Sequence, residues 1–179
     1  YDGYAETVAC LESVLKTIAV GWARIVVIND CSPNPAITAY LRQLAADHVQ
    51  IVLLENDTNL GFVATVNRGM AYDNARDALL LNSDVEVAGN WLHRLRDAAY
   101  VNGLIGSVTP FSNNATLCSF PNICKDNQLL FGLSCAQIDE SFAALFSSTD
   151  IIDLPTGVGF CMYIRRECLD RVGVFDVRT

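Results

Sequence analysis

The sequence lacks the apolar length that a membrane span demands, since no hydrophobic run approaches ~18 residues. Nor do its opening residues show the basic-then-apolar pattern of a signal peptide. Membrane contact, if the intact protein makes any, is expected only through parts outside this sequence. Basic residues are scarce, with 12 Lys and Arg against 20 Asp and Glu and a net charge of −8. That balance excludes a general nucleic-acid surface, which needs clustered cations. The seven cysteines are an odd number and include no C-x-x-C pair, so neither a zinc site nor a disulfide framework is expected. A reduced, cytoplasmic protein is the expectation, with a peripheral position on the cytoplasmic face of the membrane left open. The two histidines, His48 and His93, have no partner at metal-ligand spacing. Asn56-Asp57-Thr58 and Asn114-Ala115-Thr116 match a glycosylation acceptor pattern, and without a sign of secretion both are read as chance. Repeats, low-complexity tracts and linkers are also missing.

What is present is a chain of 179 residues, 51% hydrophobic with positive mean hydropathy, enough for one domain with a sizeable core. Val8, Leu11, Leu15 and Ile18 have helical spacing. A helix opening an α/β chain normally follows a strand, and here none comes first, so the chain is expected to have been cut. Arg24 to Asp30 is an apolar, β-branched strand ending in Asn-Asp. Ile37, Leu41 and Leu44 mark a helix that Pro35 can start. Gln50 to Leu54 is a second strand, Val63 to Met70 a helix, and Leu79 to Asn82 a third strand. Strand, helix, strand, helix, strand predicts a parallel sheet with right-handed crossovers. Beyond Glu86, Trp91 to Ala99 reads as a helix and Leu104 to Thr109 as a strand. Residues 110–134 show no period and suit a functional loop or lid. Ile138, Phe142, Leu145 and Phe146 mark a helix, Cys161 to Ile164 a strand, and Arg165 to Val172 a short helix stopped by Gly173.

Three of these strands end in polar clusters: Asn29-Asp30, Glu55-Asn56-Asp57 and Asn82-Ser83-Asp84. Parallel strands send their carboxyl ends the same way, and ligands of open α/β sheets bind there. Carboxylates repel a bare diphosphate, but a divalent cation between them reverses the sign. A carboxylate can also accept hydrogen bonds from a base or ribose. The plainer reading of each cluster is a strand-end turn or helix cap, and any one of them alone would be read that way.

Four segments together carry more. Val27-Ile28-Asn29-Asp30-Cys31-Ser32-Pro33-Asn34, Asn59 to Gly69, Leu80 to Val87 and Thr156 to Arg166 resemble, in order, motifs of the family-2 glycosyltransferases, with a rhamnosyltransferase-like flavour. The resemblance implies a GT-A-type, Rossmann-like, mostly parallel α/β sheet flanked by helices. It implies one domain over residues 1–179, with a nucleotide-sugar-binding half at 1–87 and an incomplete acceptor-side half at 88–179. The implied activity is a metal-dependent, inverting transfer of a hexosyl group from a nucleotide-diphosphate sugar to a saccharide or lipid-linked saccharide, in surface polysaccharide synthesis. Asp30, with Asn29 beside it, matches the base-contacting acid. Asn59, Gly61 and Asn67 match the segment closing over the nucleotide, and Asp2 belongs to the turn of a leading strand. Asn82, Ser83 and Asp84 match the D-x-D position, with Asp84 as the ligand of Mn²⁺ or Mg²⁺ and Glu86 a weaker accessory. Gly157 and Gly159 match the loop facing sugar and acceptor.

Departures accompany the match. Asn82 replaces the first acid of D-x-D, only Tyr1-Asp2-Gly3 remains of the leading strand's turn, and no acidic pair follows Gly173-Val174-Phe175-Asp176. The general base is therefore expected beyond Thr179, and the fragment is expected not to turn over. Asp153 and Asp176 are the candidates if the base lies inside. A homodimer pairing along an exposed strand edge is a further expectation. Two other classes stay open: a nucleotidyltransferase, disfavoured by the lack of a Gly- and Lys-rich signature, and a non-catalytic nucleotide-sugar-binding module.

Overall fold

The computed structural model describes residues 3–178 apart from 129–131, 146, 148 and 149. Helix α1, Tyr4–Thr17, buries Thr7, Cys10, Leu11 and Val14, a stripe one helical face wide. Strand β1, Ile25–Asn29, pairs in parallel with β2, Ile51–Glu55, in register Ile25 with Ile51 through Asn29 with Glu55. Between them runs α2, Pro35–Asp47, whose start is fixed by local chemistry. Asn34 caps it by accepting the Ala36 amide at 3.0 Å, and Pro35 occupies the first turn, where its missing N–H costs nothing. Ile37 and Leu41 of α2 meet Leu11 of α1 in one apolar cluster over this sheet.

Helix α3, Gly61–Met70, leads to β3, Ala78–Leu81. Then come α4, Trp91–Ala99, β4, Ser107–Val108, α5, Cys135–Leu145, β5, Cys161–Ile164, and α6, Arg166–Val172. The expectation of one mostly parallel sheet does not hold. β3 joins a separate antiparallel sheet of order β3-β5-β4, and β1 and β2 form a two-stranded parallel sheet. The reason lies in β5, whose Cys161, Met162, Tyr163 and Ile164 are all buried and cover one edge of β3. The other edge of β3 stays apart from β1, with a cavity between them.

Two apolar clusters hold the antiparallel sheet. Val14 of α1 and Ile18 just beyond it meet Trp91, Leu92, Leu95 and Ala99 of α4 on one side. Met70, Leu80, Met162, Ile164 and Leu169 fill the other. Asp77, just before β3, ties the elements at their base. Its carboxylate accepts the Tyr163 hydroxyl at 2.6 Å, the Tyr100 hydroxyl at 2.8 Å and the Arg166 amide at 2.8 Å. Burial would raise its carboxyl, but these donors, with Arg165 nearby, hold it below the usual range.

The strand expected over Leu104 to Thr109 shrinks to Ser107–Val108, because Leu104 is 97% exposed and has nothing to pack on. Among its described residues, 110–134 contains isolated bridges but no α-helix or ladder strand. It is organised instead by buried Asn127, whose amide donates to Ser119 Oγ at 2.9 Å and to the Asn122 and Lys125 carbonyls. Phe146, expected in the fifth helix, lies outside the described residues. Among the described residues, no helix is long and apolar enough to cross a membrane.

Candidate functional site

Parallel pairing of β1 and β2 brings Asn29-Asp30 and Glu55-Asn56-Asp57 to one edge. Asn29 is buried; its Nδ2 donates to Thr38 Oγ1 at 2.9 Å and its Oδ1 accepts the Ser32 amide at 3.0 Å. Asn29 thus shapes the turn into α2. Asp30 reaches across to α3. Its Oδ1 accepts the Leu60 amide at 2.8 Å and Asn56 Nδ2 at 2.6 Å, and its Oδ2 accepts the Gly61 amide at 2.9 Å. Those amides are unpaired donors of a helix start, so the carboxylate caps α3 from a distant strand. Burial would raise the Asp30 carboxyl, yet the hydrogen bonds from Leu60, Asn56, Gly61 and Thr65 outweigh it and hold it below the usual range. Asn59 Nδ2 adds a bond to the Asp30 carbonyl at 3.2 Å.

Gly61 sits at φ +77°, a conformation that L side chains resist, which is why glycine opens this helix. Behind it, Arg68 donates to the Glu55 carbonyl at 2.8 Å and to Asn56 Oδ1, so α3 is laced to the end of β2. Asn67 points elsewhere. Its Nδ2 donates to the Phe175 carbonyl at 2.8 Å and its Oδ1 accepts the Phe175 amide at 3.1 Å. Both halves of the amide pin the segment after α6 to α3.

The third cluster follows β3 in the other sheet. The Asn82 amide donates to the Phe160 carbonyl at 2.8 Å, and the Cys10 thiol donates to the Asn82 carbonyl at 3.4 Å. Burial pushes that thiol up to about 11, with Asp84 adding to the rise. Ser83 and Asp84 are exposed, and Asp84 makes no hydrogen bond or ion pair among the described residues. Phe62 joins this cluster to the first, because its ring lies against Gly159, where an added Cβ would sit 3.4 Å from Phe62 Cζ. Gly159 immediately precedes Phe160, the partner of Asn82. At exposed Gly157 a Cβ would lie 2.7 Å from Met162 Cε, the far end of a flexible side chain that can move aside. The loop between them is held by Thr109 Oγ1, which accepts the Val158 amide at 3.1 Å.

A divalent cation fits this edge in one way only. No group of three or more His, Cys, Asp or Glu among the described residues could cage an ion. Mg²⁺-like ions are commonly held by one or two carboxylates together with substrate phosphates, and exposed Asp84 offers one such oxygen donor. Glu86 is exposed nearby, and its carbonyl accepts the Cys135 thiol at 3.5 Å. Asp2 lies outside the described residues. Asp176 is bound by Arg178, whose Nη2 lies 2.8 Å from Oδ2, and Asp153 is exposed.

The structure therefore brings Asp30, Asn59 and Gly61 together and links them through Phe62 and Gly159 to Asn82, Ser83 and Asp84. It sends Asn67 to pinning the Phe175 segment. Sequence reasoning missed Arg68 and Phe62, and took Asn56 only as one residue of a polar strand end. For Asn56 the signal was a buried-strand ending followed by an amide, which by itself looks like any turn.

Comparison with known proteins gives two findings. The family model described as Glycosyl transferase family 2 matches residues 1–173. The solved structure of the mannosyltransferase PcManGT from Pyrobaculum calidifontis, in complex with GDP-Man and Mn²⁺, superposes with a TM-score of 0.67 at 14% identity. That alignment covers 100% of this chain and 46% of the mannosyltransferase, so the chain spans less than half of that protein. At this identity the likeness is one of fold. No curated protein sequence matches the chain.

Proposed function

The chain belongs to glycosyl transferase family 2, and from that premise we propose that it transfers a sugar from a nucleotide-diphosphate sugar to a hydroxyl acceptor. The supporting observation is the connected edge in which Asp30 holds the start of α3 while Phe62 reaches Gly159 beside the Asn82–Asp84 turn. A carboxylate has about four acceptor positions. Asp30 fills them with Leu60, Gly61, Asn56 and Thr65, so its part on the base and ribose side is to hold the turn into α3 against the nucleotide. Asn29 and Asn59 act there by shaping the turns on either side. Ser83 and Asn82 face the diphosphate, and Asp84 holds Mn²⁺ or Mg²⁺ on it. The cation, when bound, neutralises charge developing on the leaving diphosphate. The solved mannosyltransferase with GDP-Man and Mn²⁺ supports that donor class. Gly159 and Gly157 border the sugar and acceptor side, and Asn67 contributes by fixing the Phe175 segment.

The finer reading is inverting hexosyl transfer to a saccharide or lipid-linked saccharide, at the cytoplasmic face, in surface polysaccharide synthesis. Inversion calls for a base that deprotonates the acceptor hydroxyl opposite the leaving group. A panel of nucleoside diphosphates and nucleotide-sugars, each with and without Mn²⁺, tests the donor class by thermal shift, since a ligand of the folded state raises its stability. Stabilisation by at least one nucleotide-sugar, larger with Mn²⁺, is expected. Indifference to the whole panel would remove the reading.

A further inference from the structure

The segment after β4 and helix α5 are both tied to the candidate edge. Thr109 Oγ1 accepts the Val158 amide at 3.1 Å and donates to the Val158 carbonyl at 3.4 Å. Phe111, two residues on, therefore starts beside the Gly157–Gly159 loop. The Cys135 thiol, at the start of α5, donates to the Glu86 carbonyl at 3.5 Å, two residues beyond Asp84. Arg94 of α4 pairs with Asp139 and holds α5 down. These anchors set the segment and the helix against the side proposed for sugar and acceptor.

An aromatic cluster joins the two. The Phe120 and Phe142 rings meet edge to face at 5.0 Å, and Phe111 lies 6.0 Å from Phe120 and 6.2 Å from Phe142. Phe111 is 54% exposed and Phe120 39%, and α5 buries none of its residues. One exposed apolar side chain needs no cause, whereas a group of them marks a binding surface. The rim of this group is polar in a particular way. Asn113 Nδ2 donates to the Asn127 carbonyl at 3.1 Å, and Asn122 Nδ2 donates to Asn127 Oδ1 at 2.9 Å. Both exposed amides are thus fixed in direction, and their Oδ1 atoms have no partner among the described residues. Cations are scarce here. From Asp97 to Ile164 the sequence carries Lys125 alone, against Asp97, Asp126, Asp139, Glu140, Asp150 and Asp153.

These features select a ligand by its chemistry. Fixed amide oxygens accept hydrogen bonds, so they suit hydroxyl donors and not phosphate or carboxylate oxygens. The surplus of acids repels an anionic ligand. It repels an anionic lipid surface as well, which basic residues would attract. The negative face of an aromatic ring packs against apolar, weakly positive C–H groups. A sugar ring carries both halves of this pattern, with C–H groups on its faces and hydroxyls around its rim. We infer that Phe111, Phe120, Asn113 and Asn122 form the acceptor subsite, and that the acceptor presents an uncharged saccharide to it. The assignment rests on sugar transfer as the activity of the chain and narrows the acceptor of that reaction.

The test is saturation-transfer NMR on the chain as it stands, with the aromatic ring protons irradiated. The probes are uncharged oligosaccharides of glucose, mannose, galactose and rhamnose, an anionic oligogalacturonate, and phosphatidylglycerol vesicles. At least one uncharged oligosaccharide is expected to receive saturation at its C–H protons. Phe111→Ala should weaken its binding by about tenfold. Phe111→Trp keeps an aromatic face and should retain binding, which separates a lost contact from a misfolded loop. Silence from every uncharged probe would overturn the assignment, as would oligogalacturonate binding as tight or tighter. Binding of the vesicles in place of the saccharides, or full binding by Phe111→Ala, would overturn it too. If a nucleotide-sugar still stabilises the protein in any of those cases, the donor reading stands without this subsite. Saccharide binding with no stabilisation by any nucleotide-sugar would instead overturn sugar transfer, and with it the role of acceptor.

Discussion

Replacing Asp30 with alanine removes an acceptor shared by several donors, among them the Leu60 and Gly61 amides and the Asn56 side chain. Losing a helix-start acceptor costs about 0.5–2 kcal/mol, and losing a further side-chain bond about 1 kcal/mol. The site is partly open to water, which compensates in part, so a total of about 2–3 kcal/mol is expected for Asp30→Ala. In a domain of this size that corresponds to a fall in Tm of about 4–12 °C. The pH dependence carries the sharper signature. The folded-state carboxyl of Asp30 is held below its ordinary value. Its stabilisation is therefore fully present above the unfolded carboxylate range, near ~3.9, and is lost as pH falls through the lower folded value. Urea unfolding of wild type and variant should show a gap that is constant from neutral pH down to mild acid and then closes. A gap that does not close in acid, or one below about 0.5 kcal/mol at pH 7, would refute the capping role.

Other substitutions separate neighbouring roles. Asn67→Ala should speed amide exchange at Phe175 and cost about 1–2 kcal/mol, and Asn67→Asp should fail to rescue it because a carboxylate cannot donate to the Phe175 carbonyl. Gly61→Ala, at φ +77°, should lose about 1–2 kcal/mol in denaturant titrations. Gly159→Ala should be nearly silent by the same measurement, because its Cβ meets Phe62 at an ordinary contact distance. Asp77→Ala should destabilise by about 2–4 kcal/mol at neutral pH, with the difference from wild type again shrinking in acid, since that carboxyl is also held low.

The helices were legible because their apolar residues recur at helical spacing and their caps are local: Asn34 and Pro35 announce α2 within three residues. β1 and β2 were legible as strands and as parallel partners. The pairing of β3 was not, because an apolar run such as Leu79 to Leu81 fits either edge of either sheet, and its partner β5 lies far along the chain. Leu104 misled because apolar sequence continues past the point where the fold offers anything to bury it. The candidate site was legible as a set of polar strand ends. Its internal wiring was not: the partners of Asp30 and Asn67 are 26 to 108 residues distant, beyond any local pattern. Asn127 and Ser119, buried inside a segment that reads as loose, belong to the same class.

The central claim is that exposed Asp84 binds the cation that carries a nucleotide-sugar's diphosphate on this edge. Calorimetric titration of the stabilising nucleotide-sugar, with and without Mn²⁺, into wild type and Asp84→Asn tests it directly. Asp84 makes no hydrogen bond or ion pair among the described residues, so the variant should keep the wild-type Tm while losing the Mn²⁺-dependent part of donor affinity. Undiminished Mn²⁺ dependence in Asp84→Asn would contradict the account.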